Sequence, residues 1–234
     1  MKTVQKKVIF VLFATLIIMN LIKCKAVKNT NNKQRGAVIG TTSGAILGAI
    51  IGNNIGKGGK GELGAVIGGV IGGTAGVLIG NKMDKQAQKI EEEIPGAVVE
   101  RIDNGIVITF DENSGVNFAT NKYYINTNSE NTLNRLAKVL KEYPDTKVLI
   151  VGHTDSSGSN QLNMDLSKNR ANSVTNYFVQ NGLHYSRFST KWYGETQPKF
   201  DNSTASGRAK NRRVNIVILP NKKMINDAEN QSKQ

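Results

Sequence analysis

The chain has 234 residues and a formal net charge of +13, with one cysteine and two histidines, too few for an internal disulfide or a histidine–cysteine metal cluster. The basic excess is lopsided: residues 1 to 35 hold eight Lys or Arg and no acid, residues 36 to 95 balance five against five, and the rest carries +5. That distribution suits an anionic membrane surface beside an anchor better than a nucleic-acid-binding face, so no nucleic-acid partner and no cofactor is expected.

Lys2, Lys6 and Lys7 precede the apolar run Val8 to Met19, a positive start and an apolar core of signal-peptide length. Cys24 follows at the position where a bacterial lipoprotein signal places the residue that is acylated. Residues 1–24 are therefore expected to be a signal segment with lipid attachment at Cys24. Lys23 departs from the small residue that usually precedes such a cysteine, so an uncleaved signal anchor stays open. Lys25 follows the cysteine where an inner-membrane retention signal would have Asp. The outer membrane, periplasmic face, is the expected location, with the inner membrane as the alternative.

After a basic polar linker, 25–35, eleven glycines keep one four-residue register, from Gly36 to Gly56 and again from Gly64 to Gly80, missed only at Lys60. Residues four apart share a helix face, so the repeat cuts a groove that another backbone can approach closely. No side chain ionises between Gly36 and Gly56 or between Leu63 and Asn81. Each run is near the roughly 20 residues a helix needs to cross a hydrocarbon core. Lys57 to Glu62 is charged and glycine-rich, a turn. The reading is a glycine-zipper helical hairpin over 36–81, seated in membrane lipid and able to build a homo-oligomer through its glycine faces. Thr41, Thr42, Asn53 and Asn54 leave a membrane-inserting oligomer or pore component as the alternative.

Residues 82–96 are charged and helix-prone, ended by Pro95-Gly96, and read as a stalk. From 97 to 220 strands and helices alternate. Ala97–Ile102 and Gly105–Phe110 are strands around the turn Asp103-Asn104. Ser129–Tyr143 is a helix, Lys147–Val151 a buried strand, Leu162–Gln180 a long helix, and Phe188–Tyr193 and Arg213–Leu219 are strands. The fold class is α+β, a mixed sheet with helices on one face. Residues 221–234 read as a polar disordered tail.

The chemistry falls on the loop Gly152-His153-Thr154-Asp155 and the helix after it. Asp155 and Arg170 lie fifteen residues apart, one in a strand-to-helix loop and one on the helix. Such a pair can bracket a zwitterion, the carboxylate receiving an ammonium and the guanidinium fork holding a carboxylate; a structural ion pair is the alternative.

These residues carry a resemblance. Gly152-His153-Thr154-Asp155, then Asn163-x-x-Leu166-Ser167-x-x-Arg170-Ala171, Gly194-Glu195-x-x-Pro198 and Gly207-Arg208-x-x-Asn211-Arg212-Arg213-Val214 resemble the OmpA C-terminal-like peptidoglycan-binding domain, over roughly 97 to 220. The resemblance implies noncovalent binding of peptidoglycan stem peptides, with diaminopimelate clasped by Asp155 and Arg170. It further implies that Thr154 and Asn163 orient the loop or touch the stem, and that Arg212 or Arg213 lines the same pocket. The glycine-zipper segment is similar to those of small outer-membrane lipoproteins.

Rival readings are weaker. His153, Asp155 and Ser156 or Ser159 contain the residue types of a hydrolase triad, but no strained GxSxG elbow is present. A flagellar stator needs an acid within its membrane helix, and neither zipper run has one. A non-enzymatic envelope tether is the expectation.

Overall fold

The computed structural model describes residues 73–110, 116 and 118–233. The expected signal segment, Cys24, the first zipper run and the turn at 57–62 lie outside the described residues.

Five strands form one mixed sheet: β1 (Val98–Ile102), β2 (Gly105–Phe110), β3 (Thr146–Gly152), β4 (Phe188–Trp192) and β5 (Val214–Pro220), in the order β1-β2-β5-β3-β4. All neighbours are antiparallel except β3 and β4, which run parallel. Parallel neighbours need a crossover, and α3 (Asn160–Gln180) supplies it. The other helices are α1 (Gly73–Glu93), α2 (Thr127–Glu142), α4 (Ala205–Asn211) and α5 (Lys222–Gln231).

Strand side chains alternate between faces, so Ile106, Ile108, Phe110, Val148, Ile150, Ile216 and Ile218 share one face. They join the main core with residues from α1, α2, α3 and α5. The opposite face carries a smaller cluster, Ile102, Val107, Leu149, Val151, Val217 and Leu219, to which no helix residue contributes. The expected α+β sheet with helices on one face is what forms.

Two expectations fail. The charged segment 82–96 is not a free stalk. It is continuous with residues 73–81 in α1, and Ala75, Ile79, Met83, Ala87 and Ile90 are buried at helical spacing, with Ile94 just beyond. Burying side chains such as Ile79, Met83 and Ile90 contributes about 1.5 to 3 kcal/mol each. That outweighs the exposed Lys89–Glu93 pair on the outer side, which gave the segment its charged look. The last turns of the expected membrane hairpin therefore belong to the domain's core layer, with Gly80 open to its surroundings rather than packed. Among the described residues no helix is long and apolar enough to cross a membrane.

The second failure is the tail. Residues 222–231 form α5, capped by Asn221, whose Oδ1 accepts from the Met224 amide at 2.9 Å, and Met224 and Ala228 are buried. Polar composition hid an i, i+4 apolar pair.

The strand register gives the domain two ends. At one, β3 finishes at Gly152 opposite Val214 and β2 finishes at Phe110. At the other, Thr146 faces Pro220 and β1 turns into β2. α1 runs roughly 30 Å. Asp84 at its middle reaches Arg101 of β1 at 2.7 Å, and its last turn leads into β1 at the Gly152 end. Its first residues thus lie toward the Pro220 end, alongside α5. α2 and α3 both begin at the Gly152 end, capped by Asn126 and Ser159, so two positive helix termini collect there.

Candidate functional site

The site starts where β3 must approach α3 closely. A Cβ at Gly152 would overlap the carbonyl oxygen of Ser167, so only glycine lets the strand meet the helix backbone. Ser167 Oγ accepts from the Gly194 amide at 2.9 Å, and the Thr154 amide donates to the Gly194 carbonyl at 2.9 Å. The loop after β3 is thereby tied to the loop after β4.

Asp155 is buried at the Gly152 end. Its Oδ2 accepts from Arg212 Nη1 at 2.8 Å and its Oδ1 from the Ser157 amide at 3.0 Å. Burial alone would push the carboxyl up, but the Arg212 and Ser157 hydrogen bonds outweigh it and hold the group below its ordinary value. It stays ionised at neutral pH, with acceptor capacity left for an ammonium.

Arg170 is 0% exposed. Its Nε donates to the Lys122 carbonyl at 3.0 Å, Nη1 to the His153 carbonyl at 3.1 Å and Nη2 to the Ala119 carbonyl at 3.2 Å. The guanidinium also lies 5.1 Å from the Phe118 ring centroid. Burial and the neighbouring Arg212 charge pull it down to about 10, partly offset by Asp155. It remains charged, and three of its five N–H groups are engaged, leaving one on each Nη.

Asp155 and Arg170, expected to hold the two charges of one ligand, stand in a three-membered arrangement with Arg212. Asp155 pairs with Arg212, which also donates from Nε to the Phe118 carbonyl at 3.4 Å. Arg170 sits beside this pair and straps the 118–122 loop. Two guanidinium groups against one carboxylate leave a local charge of +1. The set can bind an ammonium at Asp155 and a carboxylate at the arginines.

Thr154 adds a buried hydroxyl whose Oγ1 has no hydrogen-bond partner. Asn163 is buried and its Nδ2 donates to Glu195 Oε2, which holds the loop after β4. Arg213 goes elsewhere. Arg212 caps the end of α4 at φ −73°, ψ 67°, and Arg213 beside it donates from Nη2 to the Gln197 carbonyl at 3.1 Å. Its neighbour is His153, whose amide donates to the Arg213 carbonyl at 3.0 Å and whose ring stacks on Tyr193 at 5.9 Å. Neither ring nitrogen of His153 has a partner, so the triad residue types are not assembled around it. Burial, then the Arg213 charge, hold His153 well below its ordinary value, and burial brings Arg213 down to about 10.

Sequence reasoning missed the 118–122 strap, which offers only carbonyls and so carries no residue-type signal. It also missed Ser157 as the second donor to Asp155. Asn211, quoted for its motif alone, is a structural pin. Its buried amide accepts from the Lys199 and Phe200 amides, both at 3.0 Å, and donates to the Phe200 carbonyl at 2.8 Å, fixing the loop before α4.

Residues 117–212 match the OmpA family model and residues 1–84 match the YMGG-like Gly-zipper model. The chain is similar to the probable lipoprotein YiaD of Escherichia coli (strain K12), 39% identical over 185 residues that cover 79% of this chain and 83% of that protein. It is 45% identical over 86 residues to the peptidoglycan-binding protein ArfA of Mycobacterium tuberculosis (strain ATCC 25618 / H37Rv), covering 37% of this chain but only 26% of that one. Among solved structures it is similar to the periplasmic domain of Helicobacter pylori MotB (residues 90–256), at a TM-score of 0.50 and 25% identity, covering 61% of this chain and 91% of that one. With its β3 loop, α3 arginine and paired arginines before β5 in the matched region, the chain belongs to the OmpA family.

Proposed function

We propose that the chain is a non-enzymatic envelope tether, holding peptidoglycan noncovalently at the Gly152 end of its domain while its N-terminal segment links it to the outer membrane at the periplasmic face. The ligand is the stem peptide. Its diaminopimelate residue carries an extra ammonium and carboxylate on one stereocentre, which match Asp155 and the guanidinium groups of Arg170 and Arg212. The observation that carries this reading is the Asp155–Arg212 pair beside the fully buried Arg170. The name of ArfA supports the wall ligand. The position of α1, with its first residues toward the opposite end, supports a chain that reaches the domain from the side away from the ligand.

Asp155→Asn keeps the side chain's shape and removes the charge that receives the ammonium. Losing one partner of a buried charge contact costs about 2 kcal/mol or more of binding, at least a thirtyfold loss. The full-length variant should fail to sediment with purified sacculi while its circular dichroism spectrum is unchanged; sedimentation equal to the unaltered chain refutes the site. The membrane link is tested at Cys24. Mass spectrometry of the mature N-terminus should find an acylated cysteine, and an unmodified Met1 start would replace the lipid anchor with an uncleaved one.

A further inference from the structure

Four of the six large apolar side chains that stand exposed among the described residues lie at the Gly152 end: Val98 at the start of β1, Leu162 in the first turn of α3, Tyr123 and Tyr124. Tyr123 and Tyr124 are 51% and 58% exposed and adjacent in the chain. Adjacent exposed aromatics mark a contact surface more often than an accident of packing.

Their backbone is fixed. Arg170 holds the carbonyls of Ala119 and Lys122, the Lys122 amide donates back to the Ala119 carbonyl at 3.0 Å, and Asn121 turns the chain between them at φ 56°. On the other side, Ile125 packs on the core and Asn126 caps α2. The two rings are therefore presented from a loop clamped by the ligand-site arginine itself. Little order has to be imposed on that backbone when something docks.

We propose that Tyr123 and Tyr124 are the platform for a pyranose ring of the glycan strand, next to the stem peptide at Asp155, Arg170 and Arg212. This rests on the wall-binding reading. A stem peptide hangs from a sugar, so a ligand seated at the charged groups brings a sugar ring to the rim of the same site. A pyranose offers an apolar face of C–H groups edged by hydroxyls. A tyrosine matches both, with its ring for the face and its phenol for the hydroxyls. A lipid surface is the poorer occupant, because the first residues of α1 lie toward the other end.

The test compares two ligands on the full chain in detergent: a disaccharide-linked stem peptide and the same peptide without sugar. The unaltered chain should bind the disaccharide form about tenfold more tightly. Tyr123→Ala/Tyr124→Ala should remove that advantage and leave the free peptide within about twofold, whereas Tyr123→Phe/Tyr124→Phe, which keeps the rings, should retain most of it. Equal affinity of the unaltered chain for both ligands overturns the sugar platform and leaves the peptide site standing. An equal loss for both ligands in the alanine variant overturns it too, assigning the rings to the peptide or the loop. Binding of neither ligand overturns the wall reading and the platform with it.

Discussion

Each end of the sheet is tied by an arginine spread over backbone carbonyls, and the ends differ in what is left unused. At the Pro220 end, Arg187 donates to the carbonyls of Thr146, Leu140 and Tyr143 at 3.1, 2.6 and 2.9 Å and to Thr146 Oγ1 at 2.9 Å. That cage uses four of the five N–H groups, and the ion pairs of Lys223 with Asp145 and Asp227 lie at the same end. At the Gly152 end, Arg170 makes three such bonds and stands beside Asp155, Arg212 and the unpartnered Thr154 hydroxyl. A guanidinium on carbonyls is a structural device in both places. Spare donors, a carboxylate with acceptor capacity left and net charge mark the Gly152 end as the candidate site.

The largest expected difference between the ends is steric. Gly152→Ala drives a methyl into the Ser167 carbonyl, and because both partners are backbone, β3 and α3 must separate. The cost should be about 3 kcal/mol or more. Gly182→Ala, nearer the other end, meets only the tip of Lys141 at 3.8 Å, and its strain comes from φ +85° alone, about 1 kcal/mol. Thermal melts of the two variants check this. Equal losses would mean that the β3–α3 contact is softer than the geometry requires.

The next contrast is between the two arginines. Arg170→Met leaves the buried His153 carbonyl and the half-buried Ala119 and Lys122 carbonyls without their donor, an expected loss of about 3 kcal/mol. Arg187→Met should cost about half that, since water reaches a half-exposed site. Only the first should also lose sacculus binding. Lysine should rescue neither, because one ammonium cannot span carbonyls that a planar fork reaches together. The strap gives Arg170 a structural role beside the one proposed for it in binding, so Asp155→Asn is the cleaner probe of binding.

What was legible in the sequence follows the same division. Strands β1 to β5 and helices α2 and α3 were readable because alternation and 3.6-residue spacing record which side of each element is buried. Asp155 and Arg170 were readable by residue type and by family resemblance. α1 and α5 were misread because their exposed faces dominate their composition: Lys85, Lys89 and Glu91 to Glu93 mask Ile79, Met83 and Ile90, and the asparagines, lysines and acids of α5 mask Met224 and Ala228. Two helices that bury each other's narrow apolar stripe give no strong signal singly. The different partners of Arg212 and Arg213 were not readable, because Arg212 lies in the bend that ends α4, where no period records direction.

A smaller effect comes from His153, the buried neighbour of Arg213. Its folded-state pKa lies well below the ordinary 6.5, through burial first and the Arg213 charge second. The unfolded chain therefore binds a proton that the folded chain refuses. The resulting stability is present above about pH 6.5 and is lost as pH falls below it. Between pH 7.5 and 5.5 the loss should be on the order of 1 kcal/mol. His153→Gln, which has nothing to protonate, should flatten that part of the profile, read from urea midpoints. An unchanged slope would assign the dependence to another group.

The smallest expected effect sharpens the comparison most. Lys223 reaches Asp145 and Asp227 at 3.0 Å, nearly as close as Arg212 reaches Asp155 at 2.8 Å. By distance the Lys223 cluster is the richer, with two carboxylates to one. By exposure it is not comparable: the Lys223 and Asp145 side chains are 65% and 31% accessible, those of Arg212 and Asp155 21% and 7%. Water and salt screen the first, and its long side chain loses entropy by holding still. Lys223→Ala should leave the melting midpoint within error of the unaltered chain, at low and at high salt alike. Arg212→Ala should lower both midpoint and sacculus binding, because it strands a buried carboxylate. If the two variants melted alike, burial would not be what separates the Gly152 end from the other, and the Asp155–Arg212 pair would be one more surface contact.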